Sequence, residues 1–131
     1  VVMNVAGRGA KRILVSPGST HDLGTLRCGA WLRGRLLIFD LGFFRSELFR
    51  EIERCGGFYL SRLKKHNDPL VLASRRVEHL WAVGKRLADV LAEMRGDLLD
   101  LDVELRYALR HGPRKGRHTL PARVLLVFYK P

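Results

Sequence analysis

At 131 residues the chain has room for one modest domain with a core of its own, and an apolar share of 47% excludes a disordered chain. Lys and Arg number 24 against 13 acids, a formal net charge of +11, so the surface attracts polyanions, nucleic acid foremost. No uninterrupted apolar run is long enough to cross a bilayer, and the N-terminus lacks the charged-then-apolar order of a secretory signal.

Arginine supplies most of the positive charge, which suits bidentate phosphate contacts. A GC-rich gene, encoding Arg where Lys would serve, explains the same excess without a partner. Cys28 and Cys55 have neither the spacing of a metal site nor that of a disulfide framework. They read as small core thiols in a reducing cytosol, so a cytoplasmic protein is expected.

In chain order, residues 1–5 and 12–15 are apolar stretches joined by Gly7-Arg8-Gly9, a hairpin signal. Ser16-Pro17-Gly18 breaks regular structure, and residues 22–32 read as a short helix capped by Thr20. Leu36–Phe39 is apolar without alternation, as in a strand buried on both faces, and Asp40 stands where it stops. Ser46 is the expected cap of the next helix, whose apolar face is Leu48, Phe49, Ile52 and Cys55; Gly56-Gly57 ends it.

Phe58-Tyr59-Leu60 is a second apolar strand, running directly into Arg62, Lys64 and Lys65. Asn67-Asp68-Pro69 is a turn. Residues 70–73 and 77–81 are short and weakly patterned. Leu87, Val90, Leu91 and Met94 share one helix face, ended by Gly96. Residues 98–109 alternate as a strand, residues 110–118 form a basic turn, and residues 119–129 return as its partner. The order predicts a hairpin leading into α/β units with a mixed sheet.

An acid at the end of a central strand, with cations close behind, is a pattern suited to phosphodiester chemistry, because that end is where ligands bind in open α/β sheets. The turn holding Arg114, Lys115 and Arg117 offers contacts to phosphates without reading sequence. Taken by itself, Asp40 ahead of Gly42 also fits an ordinary turn residue.

Ile38-Phe39-Asp40-Leu41-Gly42-Phe43-Phe44, followed by Gly56-Gly57-Phe58-Tyr59-Leu60-Ser61-Arg62-Leu63-Lys64, resembles the middle of a DDE-type insertion-sequence transposase, of the insertion-sequence-four type. The family pattern is an apolar strand, Asp-x-Gly-Tyr-Phe, a helix, Gly-Gly, an aromatic strand and Arg-x-Lys; Phe43 stands here where Tyr is commoner. Upstream, residues 16–22 resemble the family's Pro-Gly-x-x-His-Asp turn, and residues 84–91 resemble a segment of some members' insertions.

The resemblance implies a partial ribonuclease H-like mixed sheet with flanking helices over residues 1–69, then part of a β-rich insertion over residues 70–131. It implies two Mg²⁺ ions held by three carboxylates, with Asp40 the second of these. The first Asp would precede Val1 and the final Glu would follow Pro131, so the chain reads as a piece of a longer protein, unable to cut DNA alone. Double-stranded DNA is the implied partner, through Arg62, Lys64, Lys65, Arg114, Lys115 and Arg117, with a possible homodimer of the complete protein. Two alternatives stay open: a non-catalytic nucleic-acid-binding remnant, and another ribonuclease H-like nuclease.

Overall fold

The strands pair in three separate small sheets in the computed structural model, which describes residues 2–4, 9–12, 26–64 and 66–127. β1 (Val2–Asn4) and β2 (Gly9–Arg12) form the expected antiparallel hairpin, the second strand beginning at Gly9 rather than Arg12. Thr20, His21 and Asp22 lie outside the described residues.

The expected helix over residues 22–32 is corrected where it is described. Residues 26–29 have no regular structure, and only Ala30–Leu32 turns, as a single 3₁₀ element. Gly29 is fully extended there, which stops a helix from running through it, and Cys28 is therefore not helical.

β3 (Leu36–Phe39) and β4 (Phe58–Ser61) pair in parallel, joined by α1 (Ser46–Arg54). Such a connection needs a crossover, and the helix supplies it. Arg45, not Ser46, occupies the position before α1, and no side chain caps it. Phe49 and Ile52 are buried and Leu48 and Cys55 half-buried, as the spacing predicts. Gly56 then adopts φ +74, a left-handed turn in which its N–H bonds Glu53 while the Gly57 N–H reaches Ile52. At Gly57 a side chain would be tight: a Cβ would stand 3.1 Å from the Leu32 carbonyl oxygen and 3.0 Å from Ile52, so a neighbour would have to give way slightly.

The strand expected to be buried on both faces is buried on one. Leu37, Phe39 and Tyr59 lie toward α1, whereas Leu36, Ile38, Phe58 and Leu60 are each 57–63% exposed. A parallel pair with one uncovered apolar face departs from the two-sided burial usual for such strands.

Beyond residue 69 the chain makes an antiparallel sheet in the order β5 (Leu70–Ser74), β6 (Leu98–Leu109), β7 (Gly116–Val127). The weakly patterned 70–73 stretch is thus a strand, and residues 77–81 belong to a 3₁₀ segment, Val77–Ala82. α2 (Leu87–Glu93) buries Leu87 and Val90. β7 begins at Gly116, so Arg117 and His118 are strand residues and the turn is shorter than expected. Each strand of the long hairpin spans roughly 40 Å at about 3.4 Å per residue. Pro121 sits midway along β7, an edge strand, where the missing N–H is tolerated.

The overall class is mixed α/β, but the parallel and antiparallel pairings fall in different sheets rather than one mixed sheet. The described residues form two apolar clusters. One joins Val71, Val90, Leu99, Leu101 and Val103; the other joins Leu32, Leu37, Phe44, Phe49 and Ile52 to Leu105 and Leu120 of the hairpin. Leu63 and Ala122 touch both, so residues on either side of position 69 share packing. Among the described residues no helix is long and apolar enough to cross a membrane.

Candidate functional site

Asp40 follows the last residue of β3, at the carboxyl end of the parallel pair, and opens a 3₁₀ turn, Leu41–Phe43. Its side chain is 75% exposed. The parallel register pairs Leu36 with Phe58 and Ile38 with Leu60; two residues further on, the Arg62 guanidinium donates to Asp40 Oδ1 at 2.8 Å. The ion pair therefore continues the ladder of the bare face as its third rung. The Leu41 backbone N–H and the Arg62 guanidinium hold the Asp40 carboxyl below its ordinary value, so it is ionised at neutral pH.

The same pair limits what Asp40 can do. A guanidinium on one carboxylate oxygen keeps the group charged, yet repels a dication from that oxygen. Among the described residues, no three His, Cys, Asp or Glu side chains converge on a possible ion position. A lone carboxylate holds Mg²⁺ weakly, because the ion gives up its water reluctantly. The described residues do not by themselves fit an Mg²⁺ site.

The predicted cations fall into two groups. Arg62, directly after β4, reaches Asp40; Lys64 follows two residues on, and Lys65 lies outside the described residues. Arg114 and Lys115 lie in the turn between β6 and β7, with Arg117 just inside β7; all three are exposed. The two groups have different acidic partners: Arg62 meets Asp40, but Arg114 does not. Arg114 is instead clasped to α1, its Nη1 donating to Glu51 Oε1 at 2.8 Å, an oxygen that also receives Arg54 at 2.7 Å. Lys64, Lys115 and Arg117 form no ion pair among the described residues, which leaves them available to an external anion. His118 Nε2 lies 2.6 Å from the Arg114 carbonyl oxygen, and its ring stacks on Tyr107 at 5.4 Å, steadying the base of the turn.

Sequence reasoning did not find the Glu51 clasp or the Arg62 partner of Asp40. Both span separations that only the fold closes. Glu47, in the first turn of α1, pairs with Arg45 at 3.2 Å and plays no part near Asp40. Trp81, which the pattern did not place, lies in the Val77–Ala82 segment with Lys85 Nζ 5.0 Å from its ring centre. His79 in that segment is buried, and its Nδ1 has no hydrogen-bond partner among the described residues. Cys28 and Cys55 are free thiols, both half-buried; burial, and then the neighbouring Cys55, push the Cys28 thiol up.

No protein-family model matches the chain, and no match is found among curated proteins or solved structures.

Proposed function

We propose that the chain is part of the catalytic domain of a DDE-type transposase, whose complete form cuts and joins DNA with Mg²⁺. The observation that carries this reading is an ionised aspartate at the carboxyl end of a parallel β-α-β pair, with Arg62 and Lys64 immediately behind it. The order of residues from Ile38 to Lys64 supports it through its resemblance to that family, and the charge of +11 suits a phosphate backbone.

In this reading Asp40 is one ligand of a shared metal site and Arg62 is its holding partner when no metal is present. The remaining carboxylates come from elsewhere in a longer parent protein. The chain itself then binds duplex DNA through phosphates and leaves it uncut.

The decisive test is Asp40→Asn in a full-length parent. Strand cleavage should vanish while DNA binding stays, and retained cleavage would remove Asp40 from the site. For the present chain, affinity for random duplex should fall steeply with salt. Replacing Lys115 or Arg117 by Ala should each reduce the salt slope by about one. A flat salt response would defeat a phosphate-dominated contact. Salt-dependent binding by a parent that never cleaves would favour a nucleic-acid-binding remnant instead.

A further inference from the structure

The uncovered face of the parallel pair is short, apolar along its strands and closed at one end by charge. Leu36 stands beside Phe58 and Ile38 beside Leu60, each 57–63% exposed, and Asp40 with Arg62 makes the next rung. Parallel strands are ordinarily covered on both faces, so this face is suited to contact with another surface. Its chemistry narrows the choice. One acid and one base leave the face without net charge, so it offers little to a nucleic acid despite the +11 of the whole chain. A face that carries its own complement suits a copy of itself.

The register shows how. A two-fold axis running along the strands, midway between β3 and β4 and just above the face, carries β3 of one copy onto β4 of the other. Leu36 then faces Phe58 of the other copy, and Ile38 faces Leu60. The same operation sets each Asp40 over the other copy's Arg62. Within one chain Arg62 donates to Asp40 Oδ1 at 2.8 Å, which uses one of the five N–H groups of a guanidinium. Its remaining donors can reach the second carboxylate, so both pairs within the chains persist and a four-charge rung joins the copies. A two-fold axis across the strands instead sets each charged rung over Gly34 and Gly56, which have no side chains to answer it.

We propose that two copies of this chain associate through the bare faces of β3 and β4, about a two-fold axis parallel to the strands. Sheets packed in this way lie about 10 Å apart and cross at about 30°. The contact is isologous, so it closes at two copies and does not propagate. With six exposed side chains from each copy, the buried area is on the order of 1,000 Å² in total, near the lower bound for a specific interface. Association is therefore weak, and in dilute solution the face stays open. The net charge of each chain opposes pairing at long range, and salt screens that repulsion. Salt thus strengthens self-association and weakens phosphate binding, so this inference and the DNA reading fail separately.

The test is sedimentation equilibrium of the full chain from micromolar to millimolar concentration. A reversible monomer–dimer equilibrium is expected, tightening as salt is added and showing no larger species. Ile38→Ser with Leu60→Ser should weaken it at least about tenfold while circular dichroism shows the fold retained. Asp40→Arg puts four cations on the shared rung and Arg62→Asp puts four acids there, so each variant alone should stay monomeric over that range. Mixed in equal amounts, the two variants should form a heterodimer at about the native affinity. A monomer at every concentration, a dimer untouched by the Ile38 and Leu60 changes, an affinity that falls with salt, growth beyond two copies, or no pairing in the mixture would overturn the proposal.

Discussion

The antiparallel sheet of β5, β6 and β7 and the parallel pair of β3 and β4 solve the same problem differently. Both hide one face in shared apolar packing. On the other face the antiparallel sheet carries Arg75–Asp102 and Asp100–Arg123 pairs, with Glu104 and Arg106 paired alongside. The parallel pair presents Leu36, Ile38, Phe58 and Leu60 there instead. Alternation of polarity is written into residues 98–106 and absent from residues 36–39. The first sheet is finished as it stands, whereas the second has the composition of strands that expect cover on both sides. The Asp40–Arg62 pair lies at the end of the unfinished face, so whatever covers that face also approaches Asp40.

The strongest way to break this contrast is to attack what the two regions share. Phe49 stacks on Tyr59 at 4.2 Å and meets Phe44 edge-on at 5.2 Å, in the cluster that also holds Leu105 and Leu120. Phe49→Ala should cost about 3–5 kcal/mol and shift a single unfolding transition seen by probes in both sheets. Separate transitions, with β6 amides still protected from exchange, would show that the regions stand independently.

Gly57→Ala tests the parallel unit alone. The added methyl must displace the Leu32 carbonyl or Ile52, at about 1–3 kcal/mol. Chemical denaturation measures the loss, and an unperturbed midpoint would show that the Leu32 segment yields freely.

Alkaline titration sharpens the picture of the shared layer. Burial, and then Glu53, push the Tyr59 phenol up from 10.0 to about 12. A folded value above the unfolded one means that stability is full below about pH 10 and is lost as pH rises toward 12. Phenolate absorbance should show one tyrosine ionising late, and ionisation near pH 10 would mean that Tyr59 is open to water.

The smallest effect is expected on the bare face. Ile38→Ser with Leu60→Ser should change stability within about 0.5 kcal/mol per substitution while raising solubility. A loss above about 2 kcal/mol would show that the face is covered.

Much of the scaffold was legible in the sequence because its signals are local. Phe49 and Ile52 share a helix face, Gly56-Gly57 stops that helix, and Leu99, Leu101, Val103 and Leu105 alternate with charge. The bare face was not legible. An apolar run such as Leu36–Phe39 states what could be buried, not how many layers are present to bury it. The helix expected near Cys28 rested on the near-helical spacing of Leu23, Leu26, Ala30 and Trp31. An extended Gly29 outweighs that spacing, and Trp31 instead donates its indole N–H to the Arg27 carbonyl. At the candidate site, the position of Asp40 followed from where its strand stops. Its partner Arg62 did not, because the register between parallel strands is set by how α1 packs during the crossover. The Arg114–Glu51 clasp was hidden for a similar reason, being fixed by the span of a hairpin across two clusters.

That clasp couples the hairpin tip to the helix. Glu51 holds Arg54 and Arg114 on one oxygen, so an anion that captures Arg114 leaves Glu51 to Arg54 alone. Release at the tip would be felt next to Ile52 and one turn before Cys55, where α1 ends. Occupancy of the loop and tension in the helix are thereby tied to the same carboxylate.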